Sequence, residues 1–449
     1  MDIMGLLAVL SQSIDKTSMK RLCVIVQAML KMNGRVTMLG ISRWSEGGGS
    51  YRTIQRFYNT VVPWEKMMWI FFRKYLYRRE SEYLLVGDES VVTKSGKKTY
   101  GLDRFFASIF GRPVRGLAFF ALSVVSVSER KAYPLQVEQV VRKEEEKVTI
   151  AGQKRKKSAR KTKSPKLGRP KGRKNQDKRQ IVWTGELSRV KRMASTLLES
   201  INPLCGIRYF VLDGHFGNNN VMQMVRQGLS LHLISKLRND SALYFLYDGR
   251  QKARGRKRIY GAKIDYHNIP SRYLLKSTTE NRVVTQTFQS TMLHKSFADL
   301  LNVVIIVKTH LDTGRRTHVV LFSSDLDLSY DQLIDFYCLR FQIEFNFRDA
   351  KQFWGLEDFM NVNPIPVTNA VGLSFFMVNL SSYLTLHFRT RIPDFGLLDL
   401  KAHFRARRFA SEAFKLLPDS LDPIFIQHCL DHMPALGSIH SPHPLPLTF

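Results

Sequence analysis

Three acidic residues in this 449-residue sequence stand where a metal site would want them. Asp88 closes the apolar run Leu84-Leu85-Val86-Gly87, and Asp213 closes Tyr209-Phe210-Val211-Leu212. Both runs are rich in β-formers and read as strands. Glu344 lies within residues 329–353, which read as one long helix with Ser329 at its N-cap and Asp331 in its first turn. Carboxylates at strand ends suit hard cations, and magnesium takes oxygen ligands while keeping positions open for a substrate phosphate. Two such ions ~3.5–4 Å apart can activate a nucleophile and stabilise the leaving oxygen of an in-line displacement. A single acid at a strand end is more often a turn or cap residue, so only the combination points to chemistry.

The helix sharpens the case. Tyr337, Arg340, Glu344 and Lys351 are spaced so that, at about 100° per residue, they fall within roughly 60° of one face. One carboxylate, two cations and a phenol suit a metal-bound phosphodiester, with Glu344 on metal and Arg340 and Lys351 on flanking phosphates. A solvated face with an incidental Arg340–Glu344 pair four residues apart accounts for the spacing equally well.

The pattern Tyr337-x2-Arg340-x3-Glu344-x6-Lys351 resembles the YREK signature of bacterial insertion-sequence transposases of the DDE class. The neighbouring Phe341-Gln342-Ile343, Gln352-Phe353-Trp354-Gly355-Leu356-Glu357, Val86-Gly87-Asp88, Val211-Leu212-Asp213-Gly214 and residues 400–408 are similar to that family too. The resemblance covers roughly residues 80–410. It implies an RNase H-like mixed sheet flanked by helices, with a β-rich insertion between the second Asp and the Glu. It implies Asp88, Asp213 and Glu344 as catalytic ligands of two Mg²⁺ ions, with Mn²⁺ able to substitute, and Tyr337, Arg340 and Lys351 as DNA contacts. The implied activity is cut-and-paste transposition. Water cuts at the terminal inverted repeats, and the freed 3′-hydroxyl attacks the opposite strand or target DNA. Double-stranded DNA, both transposon ends and target, is then the partner, with a homodimer in the synaptic complex and a bacterial, nucleoid-associated cytoplasmic location. Some members stack a Trp of the insertion on a flipped base; residues 214–353 contain none, which leaves Tyr244, Phe245, Tyr247, Tyr260 and Tyr266 as candidates. An RNase H-like nuclease that does not join ends, or an inactive domesticated DNA-binding protein, would share these features.

The elements that must position these residues follow an α/β pattern with helical ends. Residues 1–78 read as helical. Within them a helix over 37–44, a glycine turn and a helix opening at Ser50 fit a helix-turn-helix offering Arg52 and Arg56 to DNA, although a plain bundle fits nearly as well. Residues 79–236 form the first part of the catalytic unit, with strands at 117–127 and 132–141, helices at 187–200 and 219–227, and a short strand at 232–234. The β-rich insertion spans 237–300. Residues 301–360 complete the catalytic unit, with paired strands at 302–308 and 317–322, and 361–449 form a helical end suited to dimerisation that finishes in a loose Pro-rich tail.

Charge points the same way. The chain carries 69 Lys and Arg against 38 Asp and Glu, a net +31 that calls for a polyanion such as nucleic acid. Residues 142–179 hold 17 basic and 4 acidic residues and read as a mobile loop. Inside it, Arg169, Lys171 and Arg173 resemble an AT-hook for a minor groove or, equally, a nonspecific phosphate-binding tail. Arg254, Arg256 and Arg258 are a second basic run, in the insertion. The four cysteines show no CxxC pair and read as free buried thiols. His215 lacks a partner at ligand spacing and reads as structural or substrate-proximal. No GxGxxG or Walker loop is present, so no ATP requirement is expected. No signal peptide is recognisable, and residues 370–388, interrupted by Asn379, Ser381 and Ser382, read as a buried helix rather than a membrane span.

Overall fold

The computed structural model describes residues 2–142, 177–417, 422–433 and 438–440. Most of the basic loop, with Arg169, Lys171 and Arg173, and the tail after 440 lie outside them.

A 12-stranded sheet organises the chain. Its centre is five strands in the order β4 (Lys131–Val140), β3 (Arg112–Ser126), β1 (Tyr83–Thr93), β5 (Tyr209–Leu212), β6 (His232–Leu237). The first three are antiparallel, and β5 and β6 run parallel to β1. Three meandering strands followed by two parallel ones in this order give the RNase H-like arrangement. Residues 116–126 of β3 are buried throughout, as expected of a strand covered on both faces. Beyond β6 the sheet continues without a break through β12 (Arg316–Ser323), β11 (Leu301–His310) and β10 (Val283–His294). To β10 are added β9 (Leu274–Glu280) and the short pair β7 (Leu243–Leu246) and β8 (Tyr260–Lys263). The inserted strands therefore extend the central sheet.

Helices cover both faces of this sheet. α6 (Gly185–Cys205) and α7 (Asn219–Leu229) pack on one face. The other face carries α8 (Tyr330–Leu339), α9 (Gln342–Gln352) and α10 (Pro364–Arg389). The expected single helix over 329–353 is thus two. At the junction the amides of Phe341, Ile343 and Glu344 each bond the carbonyl three residues back, a tightened turn that shifts the face of α9 relative to α8. The N-terminal helices α1 (Ile3–Leu7), α2 (Lys16–Lys31), α3 (Met38–Trp44), α4 (Tyr51–Tyr58) and α5 (Trp64–Phe71) are followed by a single π-turn at Phe72–Leu76. Ser50 caps α4 by accepting from the Thr53 amide, leaving Arg52 and Arg56 exposed while Ile54, Phe57 and Tyr58 are buried.

α10 is long and apolar enough to cross a membrane, but most of it is buried inside this protein. Of the polar residues that interrupt it, Asn379 donates to Pro134 O and Ser381 to Val378 O, and Ser374 one turn earlier donates to Trp354 O. Asn369 accepts from Trp64 Nε1 at 2.9 Å and donates to Tyr58 O and Thr60 O at 2.8 and 2.6 Å, tying the N-terminal helices to α10. Asn369→Ala strips three buried partners at once. We expect a loss of about 2–4 kcal/mol, read as a lower urea midpoint with unchanged m.

α11 (Leu397–Phe414) closes the structure against α2. Its basic side chains cap that helix: Lys401 donates to Met29 O, Arg405 to Lys31 O, and Arg408 pairs with Glu46. Buried Asp399 holds the backbone of Ile439 and His440 and the His440 ring, so the start of the expected loose tail is pinned. All four cysteines are free, but only Cys23 is buried; Cys338 faces solvent on α8, which corrects the expectation of buried thiols.

Candidate active site

Asp88 does not close its strand. β1 continues to Thr93, because β3 pairs with it along its whole length. What ends at Gly87 is the parallel pairing: Gly87 lies opposite Leu212, and β5 stops there. The next residues on the two strands, Asp88 and Asp213, therefore emerge side by side where the sheet opens. Gly87 is needed at this crossing, since a Cβ would sit 2.8 Å from the Phe120 ring and 3.1 Å from Leu212.

Asp88 projects to the face carrying α9. Its Oδ1 accepts from the Glu89 amide at 2.8 Å, and its Oδ2 lies 3.5 Å from Arg340 Nη1. Arg340, in the tightened turn, reaches Glu344 Oε1 with Nη2 at 3.1 Å. Asp213 caps the single turn Gly214–Phe216 by accepting from the His215 amide, and its carbonyl accepts from Ser235 Oγ. Tyr337 lies with its ring 5.8 Å from the Arg340 guanidinium. Burial lifts the Asp88 carboxyl to about 6; Asp213 and Glu344 push the same way and Arg340 opposes them. Burial also raises the Tyr337 phenol, with Asp213 adding to it. Arg340 is held above its ordinary value: burial pulls it down, but Asp88, Tyr337 and Glu344 outweigh that. Its side chain is only 13% exposed, and its Nε has no hydrogen-bond partner among the described residues.

Asp88, Asp213, Glu344, Tyr337 and Arg340 thus share one electrostatic cluster. Lys351, near the end of α9, reaches β1 further along, donating to Val91 O at 3.1 Å, and lies 3.7 Å from Glu357. The donor set is three carboxylates, which suits a hard cation in kind. Among the described residues no three acidic, His or Cys side chains stand close enough to enclose one, and the Arg340 guanidinium bridges Asp88 and Glu344 instead.

Composition and spacing missed Glu89. It points to the opposite face of β1, where burial raises its carboxyl against the pull of Arg189, 3.9 Å away. His215 belongs to that face too, 3.3 Å from Glu186, whose hydrogen bond raises the imidazole. Arg254, Arg256 and Arg258 are exposed between β7 and β8, with Arg258 over the Tyr247 ring. Of the stacking candidates, Phe245 is buried against Tyr273 and Tyr266 lies on His318; Tyr244, Tyr247 and Tyr260 are half-buried.

Residues 9–295 match the family described as DDE superfamily endonuclease, well over half of the chain. The chain belongs to the DDE superfamily of endonucleases. The match takes in Asp88 and Asp213 and ends before Glu344. Among solved structures, the chain is similar to a piggyBac transposase in a synaptic complex with hairpin DNA. The TM-score is 0.38 at 8% identity, covering 94% of this chain and 76% of that one. Comparison with curated proteins finds no match.

Proposed function

We propose that this endonuclease-family chain is a DNA transposase that cuts at the ends of a mobile element and joins the freed 3′ ends to target DNA. The observation that carries the reading is the Arg340 bridge between Asp88 of β1 and Glu344 of α9, with Asp213 at the end of β5 beside Asp88 where the sheet opens. The net charge of +31 supplies the general affinity for DNA. Asp88, Asp213 and Glu344 would hold two Mg²⁺ ions, or Mn²⁺, whose charge would lower the barrier to attack by water and stabilise the leaving oxygen.

Arg340 has two roles in this reading. Without DNA it occupies the space between Asp88 and Glu344 and offsets their charge. With DNA its fork turns to a phosphate beside the scissile bond, freeing both carboxylates. Tyr337 packs beside it as a further DNA contact. Lys351 exchanges its bond to Val91 O for a second phosphate. In the first step a water oxygen bonds to phosphorus as the P–O3′ bond breaks, leaving a 3′-hydroxyl. In the second, that hydroxyl oxygen bonds to a phosphorus of another strand and displaces its 3′ oxygen. Arg52 and Arg56, exposed on α4, would read the element's ends, and Arg254, Arg256 and Arg258 would follow the backbone; a homodimer would pair two ends.

The test is incubation of the chain with a labelled duplex carrying any inverted repeats found to flank its gene. With Mg²⁺ we expect nicking at the repeat boundary and transfer of the label to a second plasmid, both abolished by a chelator. Nicking without transfer would leave a nuclease and refute the joining step; neither product would sink the reading.

A further inference from the structure

β2 (Asp103–Ala107) and β3 pair from Asp103↔Gly116 to Ala107↔Arg112 and are joined through a single turn at Ser108–Phe110. β1 reaches β3 only as far as Gly116, and β4 only as far as Ala118. Residues 103–116 therefore leave the sheet as a two-stranded ribbon. Its end carries three large apolar side chains in the open, Phe106 at 64%, Ile109 at 86% and Phe110 at 53% exposure. Three such residues at one projecting tip are unlike the scattered exposed apolar residues that need no explanation. The flanks are basic. Residues 94–116 contain six Lys or Arg and one acid, Asp103, whose carboxylate is already taken by Arg142 and the Arg104 amide. Lys97, Lys98, Arg104, Arg115 and Arg142 line a cleft of about 820 Å³ at the ribbon's base, and Arg112 stands exposed nearer the tip.

We propose that this ribbon is a DNA wedge: Phe106, Ile109 and Phe110 insert between base pairs while Lys97, Lys98, Arg104, Arg112 and Arg115 hold the phosphates on either side. The inference rests on the DNA-processing reading above. Apolar wedges flanked by cations partially unstack a base step and kink the duplex, and the bend lets more of a basic surface touch phosphate. The reach is suitable. Ala121 lies opposite Asp88, and the chain from there to Phe110, eleven residues along, spans about 36 Å when extended at ~3.3 Å per residue. That is about one turn of B-DNA, so a duplex leaving the active site along the ribbon presents the same groove again at its tip. A second copy of this chain is the weaker occupant, because each copy carries the same large positive charge.

The full-length chain is mixed with a 40-bp duplex of mixed sequence carrying a fluorophore at each end, so that energy transfer reports bending. Wild type should bind and raise the transfer. F106S/I109S/F110S should bind within about threefold of wild type but lose most of the bend. R104Q/R112Q/R115Q should bind at least ~10-fold more weakly at moderate salt, with a log–log salt slope smaller by about 2–3. All six positions are exposed, so melting temperatures should stay close to wild type. The wedge is overturned if wild type binds without bending, or if the apolar triple variant bends DNA as wild type does. A change in oligomeric state in that variant without DNA also overturns it, since the tip would then serve a second copy. A wild-type chain that binds no duplex instead refutes the DNA-processing reading beneath it. Binding and Mg²⁺-dependent nicking that survive unchanged in both variants refute the wedge alone.

Discussion

Asp88→Asn should reduce Mg²⁺-dependent strand cleavage by at least ~10³-fold and, with metal removed, make the protein more stable at pH 7.5. The two effects share one cause. Asp88 is largely buried, beside two other carboxylates and one guanidinium, and its carboxyl is lifted to about 6. In the unfolded chain it would titrate near 3.8. Between those values the folded form holds more protons than the unfolded form, so stability falls as pH rises through that window. Above about pH 6 the whole penalty is present, at most about 3 kcal/mol. Asn carries no charge and escapes it. The gain should therefore appear at pH 7.5 and vanish near pH 4, where Asp88 is protonated in the folded state. Mg²⁺ should narrow the gap by stabilising wild type more than the variant. Thermal melts at both pH values, with and without metal, check this alongside cleavage of the duplex. A gain equal at both pH values would mean that ionisation is not its source, and normal cleavage would remove Asp88 from the site. Asp213→Asn and Glu344→Gln should lose cleavage to a similar degree.

The strands that frame this site were legible because their residues are buried on both faces. Leu84-Leu85-Val86 and Tyr209-Phe210-Val211-Leu212 are unbroken apolar runs, and runs of that kind belong in the middle of a sheet covered by helices. Asp88 and Asp213 could be picked out as the residues at which those runs stop. That β1 goes on for five residues more was not visible, because Glu89, Ser90 and Thr93 look like the start of a loop. They stay in the strand because β3 supplies hydrogen bonds to the end. The same limit hid β2. Its residues, Asp103-Arg104-Phe105-Phe106-Ala107, mix Phe with charged side chains just before Gly111 and Pro113, and only pairing with β3 makes them a ribbon. Sheet neighbours are non-local choices. Nothing in the residues of β12 announces that it pairs with β6 and carries the inserted strands onto the central sheet.

The helix bearing Glu344 illustrates a finer limit. Leu339 and Ile343 are both buried, four residues apart, so the apolar period runs straight through the junction. A single tightened turn leaves that period almost unchanged while re-aiming the side chains around it. The spacing could place Arg340 and Glu344 on a common face. It could not show that Arg340 also reaches a strand more than 250 residues away in sequence. Likewise the basic run at 400–408 has the composition of a DNA-binding surface, yet Lys401, Arg405 and Arg408 are engaged in capping α2 and holding Glu46. A lysine at a helix C-terminus and one on a phosphate are indistinguishable by residue type.

Arg340→Ala separates a working residue from an incidental ion pair. Were the pair solvated, removing it would cost about 0.3–0.5 kcal/mol and leave chemistry intact. Arg340 is instead only 13% exposed and bridges two carboxylates, one of them already raised by burial. Its loss leaves Asp88 without its main counter-charge, at an expected cost of about 1–3 kcal/mol in metal-free buffer at pH 8. The cost should shrink in acid, because a protonated Asp88 needs no partner. If the guanidinium holds the place of a cation, Mg²⁺ should raise the melting temperature of Arg340→Ala more than that of wild type. Cleavage should nonetheless fall by about 10²–10³-fold, because the same side chain supplies a charge-assisted, bidentate contact to the phosphate near the reacting bond. Arg340→Lys tells the two roles apart. It keeps a positive charge near Asp88 and should recover most of the stability, but its point charge cannot reproduce the fork and should recover little of the activity. Equal Mg²⁺ responses in wild type and Arg340→Ala would rule out the place-holding role, and full cleavage by Arg340→Lys would rule out the bidentate one.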